Sequence, residues 1–334
     1  MSMNVLVTGG MGFIGSNLVR YLLENRQDIK ITSIDNLSVG ANTANLKNLP
    51  ASRHRFIKGD IGNAKLMTKL VRKHSAIINC AAETHVDRSI AAPEKFVKSN
   101  VMGTFVVLES LRRFNPKAKM VHVSTDETYG DILQGSFSEE DRLKPSNPYA
   151  ATKAAADILA LAYHRTYGTH VTVTRCTNNF GPRQHPEKLV PKTIIRALHD
   201  MTIPLYGAGT QIRDWIYVLD HCEALARVMD NGRPGEIYNV SSGNEIPNFE
   251  IVQSILEALG KPKTLVRYVE DRPGHDVRYS LDSQKLRSET GWSPRHSFKE
   301  ALDKTVEWYV KNELWWRRQV STKVLNSAPW KQKW

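Results

Sequence analysis

The run "VLVTGGMGFIGSNLV", residues 5–19, constrains this chain more than any other stretch. Strand-forming residues stop at Thr8, glycines follow at positions 9, 10, 12 and 15, and a helical pattern begins at once. A tight turn, a close approach of backbone to a pyrophosphate and dense strand–helix packing each require positions without a Cβ, and the helix N-terminus then faces the phosphates. Gly9, Gly12 and Gly15 therefore predict a dinucleotide site. A packing turn alone would leave the next observation unexplained. Asp35 closes the second predicted strand 20 residues after Gly15, where a carboxylate would hold both ribose hydroxyls of an adenosine. Its charge repels a 2'-phosphate, and "DNLSVG" brings no arginine. NAD is expected over NADP.

Apolar runs predict strands at 4–8, 30–35, 55–60, 76–82, 119–125 and 171–176, separated by helical stretches. Continuous runs such as "AIINCAA" suit a parallel sheet covered on both faces. The expected fold is α/β, a doubly wound parallel (Rossmann) sheet with a smaller C-terminal lobe. The expected division is 1–178 for the NAD-binding domain, with parts of 213–250 returning to it, 179–316 for the second lobe and 317–334 for a tail. After Asn178 the chain turns rich in proline and charge, as in "FGPRQHPEKLVPK" and "EDRPGHDVRYS". Such segments belong over the strand ends, where open α/β sheets bind ligands. At the third strand's end Asp60 and Ile61 border the adenine position, although Asp60 also reads as a helix cap. Ala81 and Ala82 after the fourth strand let a cofactor lie against the backbone.

With 334 residues, 41% of them hydrophobic, the chain suffices for one large domain or two moderate ones. No apolar run reaches the roughly 20 residues of a membrane span, and no signal-peptide pattern precedes the first strand. A soluble, cytoplasmic protein is expected. Cys80, Cys176 and Cys222 are widely spaced and predict neither a disulfide nor a metal site. The net charge of +12 favours anionic partners without choosing among them. Its one dense cluster, 317–334, carries five basic residues and no acidic one. Charge alone reads that tail as a solvated segment. Five of the seven tryptophans fall within the last 27 residues, which favours docking on a protein surface.

Two constellations carry the chemistry. Tyr149 and Lys153 in "NPYAATK" are four apart and share a helical face, where an ammonium would lower a phenol from its usual pKa near ~10. "VSTDETYG", residues 123–130, sets Thr125, Asp126 and Glu127 where a buried strand ends. Desolvating two carboxylates is unfavourable unless they are paired or used, and a general acid beside a general base is such a use. A turn or helix cap is the plainer alternative.

These stretches, with "AAETHVDRSI", "RCTNNFGP", "PEKLVP", "YGAGTQIRDWIYV" and "DRPGHDVRYSLD", resemble the extended short-chain dehydrogenase/reductases and, more narrowly, the dTDP-glucose 4,6-dehydratases, over about residues 3–316. The resemblance implies that Tyr149, aided by Thr125 and Lys153, is the base for oxidation at C4 of the sugar. It makes Glu127 the base at C5 and Asp126 the acid that releases the C6 hydroxyl, after which hydride returns to C6. It places Phe13, Ile14, Asn36, Ser38, Ser99 and Asn178 along NAD. It assigns Thr84, Asn179, Lys188, Leu189 and Tyr206, and also Arg213, Asn248, Arg272 and His275, to the nucleotide sugar. Guanidinium and ammonium groups suit its diphosphate, although each taken singly could be an ordinary surface charge. The family commonly forms homodimers through helices that here match 94–114 and 150–167.

Thr128, Arg183, Ser241 and Ser242 depart from the family's usual residues, which leaves dTDP-glucose and UDP-glucose both open. Two other readings remain. A nucleotide-sugar 4-epimerase or decarboxylase shares the glycines and the Tyr–Lys pair but generally lacks adjacent Asp126 and Glu127. A catalytically silent RNA-binding Rossmann protein would have no use for either constellation. Neither nucleic acid nor membrane is expected as a partner.

Overall fold

The structure is a computed structural model and describes residues 3–333. Met1, Ser2 and the last of the clustered tryptophans, Trp334, lie outside the described residues. Six strands, β1 (Met3–Thr8), β2 (Ile29–Asp35), β3 (His54–Lys58), β4 (Ala76–Asn79), β5 (Lys119–Thr125) and β6 (Val171–Cys176), follow the predicted runs. The chain then lays down β7 (Asn178–Phe180), β8 (Ile203–Tyr206) and β9 (Ile212–Tyr217) outside their sheet before β10 (Ile237–Val240) joins its edge. The seven strands run parallel in the order β10-β6-β5-β4-β1-β2-β3. The order reverses between β1 and β4, and ligands of such sheets bind in the crevice at that switch.

Alternation along β1 sends Val5 and Val7 to one face and Leu6 to the other. The first face packs under helices Phe13–Asn25 and Val218–Asn231, the second under Ala64–Val71, Thr104–Phe114 and Pro148–Tyr167. Both faces are buried, as the continuous apolar strands require. Helix Pro148–Tyr167 carries strong local signals at both ends. Asn147 caps Ala150 N, proline occupies the first turn, and Gly168 leaves the helix at φ +68°.

Two predicted strands end early. β4 stops at Asn79 because Ala81 N donates to the Thr8 hydroxyl (3.1 Å), drawing the chain across the end of β1. β3 stops at Lys58, and Asp60 instead closes a turn by accepting Gly62 N at 2.7 Å. The helix cap considered for Asp60 belongs to Asn63, which accepts Leu66 N at 3.1 Å.

A smaller lobe stands over the strand ends. It contains the pairs β7–β9, β9–β11 (Glu245–Pro247) and β8–β12 (Val266–Val269), with helices Leu189–Leu198, Asn248–Ala258 and Phe298–Lys311. Its core gathers Phe180, Ile194, Trp215, Ile251, Leu302 and Trp316, and Val324 and Leu325 of the tail join it. The solvated tail that charge alone suggests is thus replaced by a docked one, because its apolar residues outweigh its five cations.

Candidate functional site

A continuous cleft follows the carboxyl ends of the parallel strands from the glycine turn to the second lobe. At its first end the turn is set by sterics. Gly9 adopts φ +67°, and a Cβ there would stand 2.8 Å from Ala81 N; a Cβ on Gly15 would stand 2.2 Å from Gly9 O. Only glycine fits either place. Gly12, Phe13 and Ile14 complete this wall, and Asp35, Asn36, Ser38, Asp60, Ile61, Ala81, Ala82 and Ser99 line the cleft beside it. Met11 N and Leu37 N hold the Asp35 carboxylate at 2.9 and 2.8 Å, while burial pushes its pKa up. Carboxylate oxygens accept more than one hydrogen bond each, so Asp35 keeps capacity for ribose hydroxyls. The narrow glycine turn, this oriented carboxylate and the small residues at 81 and 82 fit a dinucleotide.

The middle of the cleft holds Thr125, Asp126, Glu127, Tyr149 and Lys153. Thr125 ends β5, accepts Glu127 N at 3.4 Å and donates to Asp126 Oδ1 at 3.0 Å. Asp126 is 2% exposed, and its Oδ2 has no partner among the described residues. Burial first, and then the charge of Glu127, push the Asp126 pKa up to about 8. Burial raises Glu127 too, but Arg272, Lys188 and Arg213 oppose it, together with Asn147, which donates to Oε2 at 3.3 Å. Three cations act on Glu127 where Arg213 alone acts on Asp126, an unequal field of the kind that separates two carboxyls' protonation.

Tyr149 and Lys153 share the helix face that their spacing predicts, yet the electrostatic balance differs from the sequence expectation. Burial, followed by the charge of Glu127, pushes the Tyr149 phenol well above its usual value, and Thr125 alone of the leading influences favours the phenolate. Lys153 Nζ instead donates to Val123 O at 2.6 Å, and burial lowers the ammonium's pKa against the opposing charge of Asp157. One turn further along this helix Asp157 pairs with Arg175 of β6 at 2.9 Å, both buried.

Asn178, Asn179, Lys188, Leu189 and Thr84 also line the cleft. Asn179 is oriented by His221 (2.8 Å) and by Thr177 O (3.0 Å). Arg213, Arg272, Tyr206, His275 and Asn248 do not line it and stand behind its second end. Arg213 donates to Asp276 O at 2.8 Å and lies over the Tyr279 ring. Asn248 begins its helix and donates its backbone N–H to Gln211 O. His275 contacts Asp271 at 2.6 Å, and burial lowers its pKa to about 4.

The residue that links Tyr206 and Arg272 is Asp87, which stands inside "AAETHVDRSI" with no pattern to mark it. It accepts Arg272 at 3.1 Å and Tyr206 Oη at 3.1 Å, joining the helix Val86–Ala91 to the second lobe. Asn100 is likewise unmarked. It accepts Glu83 N (2.8 Å) and donates to Thr152 (3.0 Å), tying the 81–84 loop to the helix of Tyr149. Neither lies in a pattern of its own, and Asn147, the cap one residue before a proline, is the one with a local signal.

The described residues contain no metal-ligand cluster and no helix long and apolar enough to cross a membrane. A model of the GDP-mannose 4,6 dehydratase family matches residues 6–305. A dTDP-glucose 4,6-dehydratase of Streptomyces niveus is 46% identical over 332 residues, 98% of each chain. The crystal structure of DesIV, a dTDP-glucose 4,6-dehydratase from Streptomyces venezuelae with NAD and dTDP bound, superposes with TM-score 0.93 at 46% identity, covering 95% of this chain and all of that one. A UDP-glucose 4-epimerase from Thermotoga maritima reaches TM-score 0.86 at 30% identity, over 93% of this chain and all of its own. The shared fold therefore does not separate the two chemistries.

Proposed function

This chain belongs to the GDP-mannose 4,6-dehydratase family, and from that premise we propose that it converts dTDP-glucose to dTDP-4-keto-6-deoxyglucose with NAD. It acts as a lyase, removing water between C5 and C6. Bound NAD supplies the acceptor for the C4 hydride and the donor that returns it to C6.

The observation that carries this reading is the unequal pair at the end of β5. Elimination next to a ketone needs a base at C5 and an acid at the departing C6 oxygen, both present at one pH. Asp126, held protonated up to about 8, supplies the acid, and Glu127, stabilised as an anion by Arg272, Lys188 and Arg213, supplies the base. Tyr149 takes the O4 proton, with Thr125 bonding its oxygen. Burial and the charge of Glu127 push the Tyr149 pKa up, and the positive charge of the cofactor's nicotinamide ring would oppose that push. Lys153 supports the ribose next to it. Asn178 and Ser99 border the cofactor, and Thr84, Asn179, Lys188 and Leu189 the sugar nucleotide, whose diphosphate draws on the cations behind the cleft.

We further propose a cytoplasmic homodimer, joined through the helices that carry Val97, Met102, Phe105, Ile158 and Tyr167, all exposed large hydrophobics. Reaction in deuterated water tests the chemistry. Deuterium should enter C5, and the C4 hydrogen should reach C6. Return of that hydrogen to C4 with C5 unlabelled would mark an epimerase. Running dTDP-glucose against UDP-glucose tests the base, with conversion of the thymine nucleotide expected to dominate.

A further inference from the structure

We infer that Trp330, carried on the C-terminal tail, is a positioning residue for nucleotide-sugar binding and acts through Tyr206. The inference deepens the dehydratase reading and rests on it. Residues 318–333 form a strap across the second lobe, and their attachments come in sequence order. Val324 and Leu325 enter the lobe's core. Arg196 then donates to Leu325 O, and Lys192 Nζ to Asn326 O at 3.3 Å. Finally Lys331 pairs with Glu270 beyond β12.

These anchors seat Trp330, only 8% exposed, edge-on against Tyr206, with ring centroids 5.0 Å apart at 87°. His275 meets the same tyrosine ring edge-on, at 6.3 Å and 75°. A ring packed on two sides in edge-to-face geometry has its direction fixed as well as its position. The direction matters because Tyr206 Oη donates to Asp87 Oδ2 (3.1 Å), while Asp87 Oδ1 holds Arg272 (3.1 Å), whose charge reaches Glu127. The short turn Pro329–Lys331 also packs on the helix Val86–Ala91, which carries Asp87. One turn of the tail therefore sets both partners of the Tyr206–Asp87 bond. Removing the indole leaves the Tyr206 ring packed on one side only, by His275, and Arg272 with a less fixed counter-ion, which weakens capture of a doubly anionic nucleotide. The glycine turn and Asp35 lie at the other end of the cleft and stay unchanged.

The test uses Trp330→Ala and Trp330→Phe in the full chain, with KM and kcat for dTDP-glucose, copurified NAD content and melting temperature. Trp330→Ala should raise KM about tenfold with kcat within about twofold and NAD content unchanged, the pattern of lost uniform binding. Trp330→Phe, which keeps an edge-to-face partner, should bring KM back to within about threefold of the parent. Adding Tyr206→Phe to Trp330→Ala should cost less than Tyr206→Phe alone, because both changes break one relay. An unchanged KM in Trp330→Ala would overturn the inference. So would KM, NAD content and melting temperature all moving together with no recovery in Trp330→Phe, because the indole would then merely cover the core. If the parent protein fails to convert dTDP-glucose, the dehydratase reading falls; dTDP titrated calorimetrically into the parent and Trp330→Ala then decides the strap by itself, and equal affinities would sink it.

Discussion

At the dinucleotide end of the cleft, the groups that face a ligand are backbone and short side chains from residues 9–15, 35–38 and 59–61. At the sugar end they are the long charged side chains of positions 127 and 188, backed by the cations of positions 213 and 272 from separate segments. The first end is shaped by the parallel ladder and by the absence of Cβ atoms, so its weak point is volume. The second is a set of buried charges that fix one another's protonation, so its weak point is any single charge. Substitutions at the two ends should therefore fail differently: one loses the cofactor, the other keeps the cofactor and loses a step.

The sharpest test of this contrast is Glu127→Gln. The amide keeps the shape and cannot accept the C5 proton, so dehydration should fall by about a thousandfold or more, within the range of general-base catalysis. Stopped-flow absorbance should still show reduction of bound NAD at about the parental rate. Full dehydration would remove Glu127 from the chemistry.

Gly15→Ala is the counterpart at the other end. Its Cβ would stand 2.2 Å from Gly9 O, backbone that cannot swing away as a side chain could. NAD content after purification should drop by about two orders of magnitude through displacement of the turn, a packing failure of the overfilling kind. Retained NAD with a lost dehydration step would break the comparison.

The same contrast explains what the sequence makes legible. Thr8, Gly9, Gly12, Gly15 and Asp35 sit within one βαβ unit, where chain order and spatial order coincide, so spacing alone locates them. Tyr149 and Lys153 are legible because Asn147 and Pro148 start their helix on the correct face. Asp87 carries no such mark. Its partners Tyr206 and Arg272 are 119 and 185 residues away, and only tertiary packing reveals that it joins them. The Tyr149 phenol departs from the spacing-based expectation for a related reason: helical spacing brings Lys153 to its face, but desolvation, a property of the whole fold, is the largest influence on its proton. The apolar pattern runs past the ends of β3 and β4, where local bonds interrupt the strand: Gly62 N donates to Asp60 after β3, and Ala81 N donates to the Thr8 hydroxyl after β4.

A smaller effect is expected for Asp35→Asn. The amide still accepts from Met11 N or Leu37 N, but it no longer repels a 2'-phosphate. The preference for NAD over NADP should narrow by about tenfold in competition binding, the scale of one lost charge contrast at a partly desolvated site. An unchanged preference would move the discrimination elsewhere in the loop.

The smallest effect, a twofold change near pH 8, asks most of the sugar end, because two groups there titrate together. Asp126 is pushed up to about 8 by burial and by Glu127, and burial brings Lys192 down to about 8. Raising the pH takes the proton from the acid and the charge from the ammonium, but the consequences separate. In the proposed mechanism Asp126 acts protonated, so loss of its proton should lower kcat for dehydration, with half the activity gone near its pKa and NAD reduction persisting. Lys192 bonds Asn326 O in the tail and does not line the cleft, so neutralising it should weaken substrate capture and raise KM. Stability shows the sign independently. The folded Asp126 pKa exceeds the model-peptide value of ~3.9, so its contribution is fully present below that value and is lost as pH rises through about 8. The Asp126→Asn variant, though inactive in dehydration, should therefore lose less melting temperature than the parent between about pH 6 and about pH 9. Equal losses in both proteins, with parental kcat flat while KM climbs, would assign the transition to Lys192 and return Asp126 to the role of a structural acid under β5.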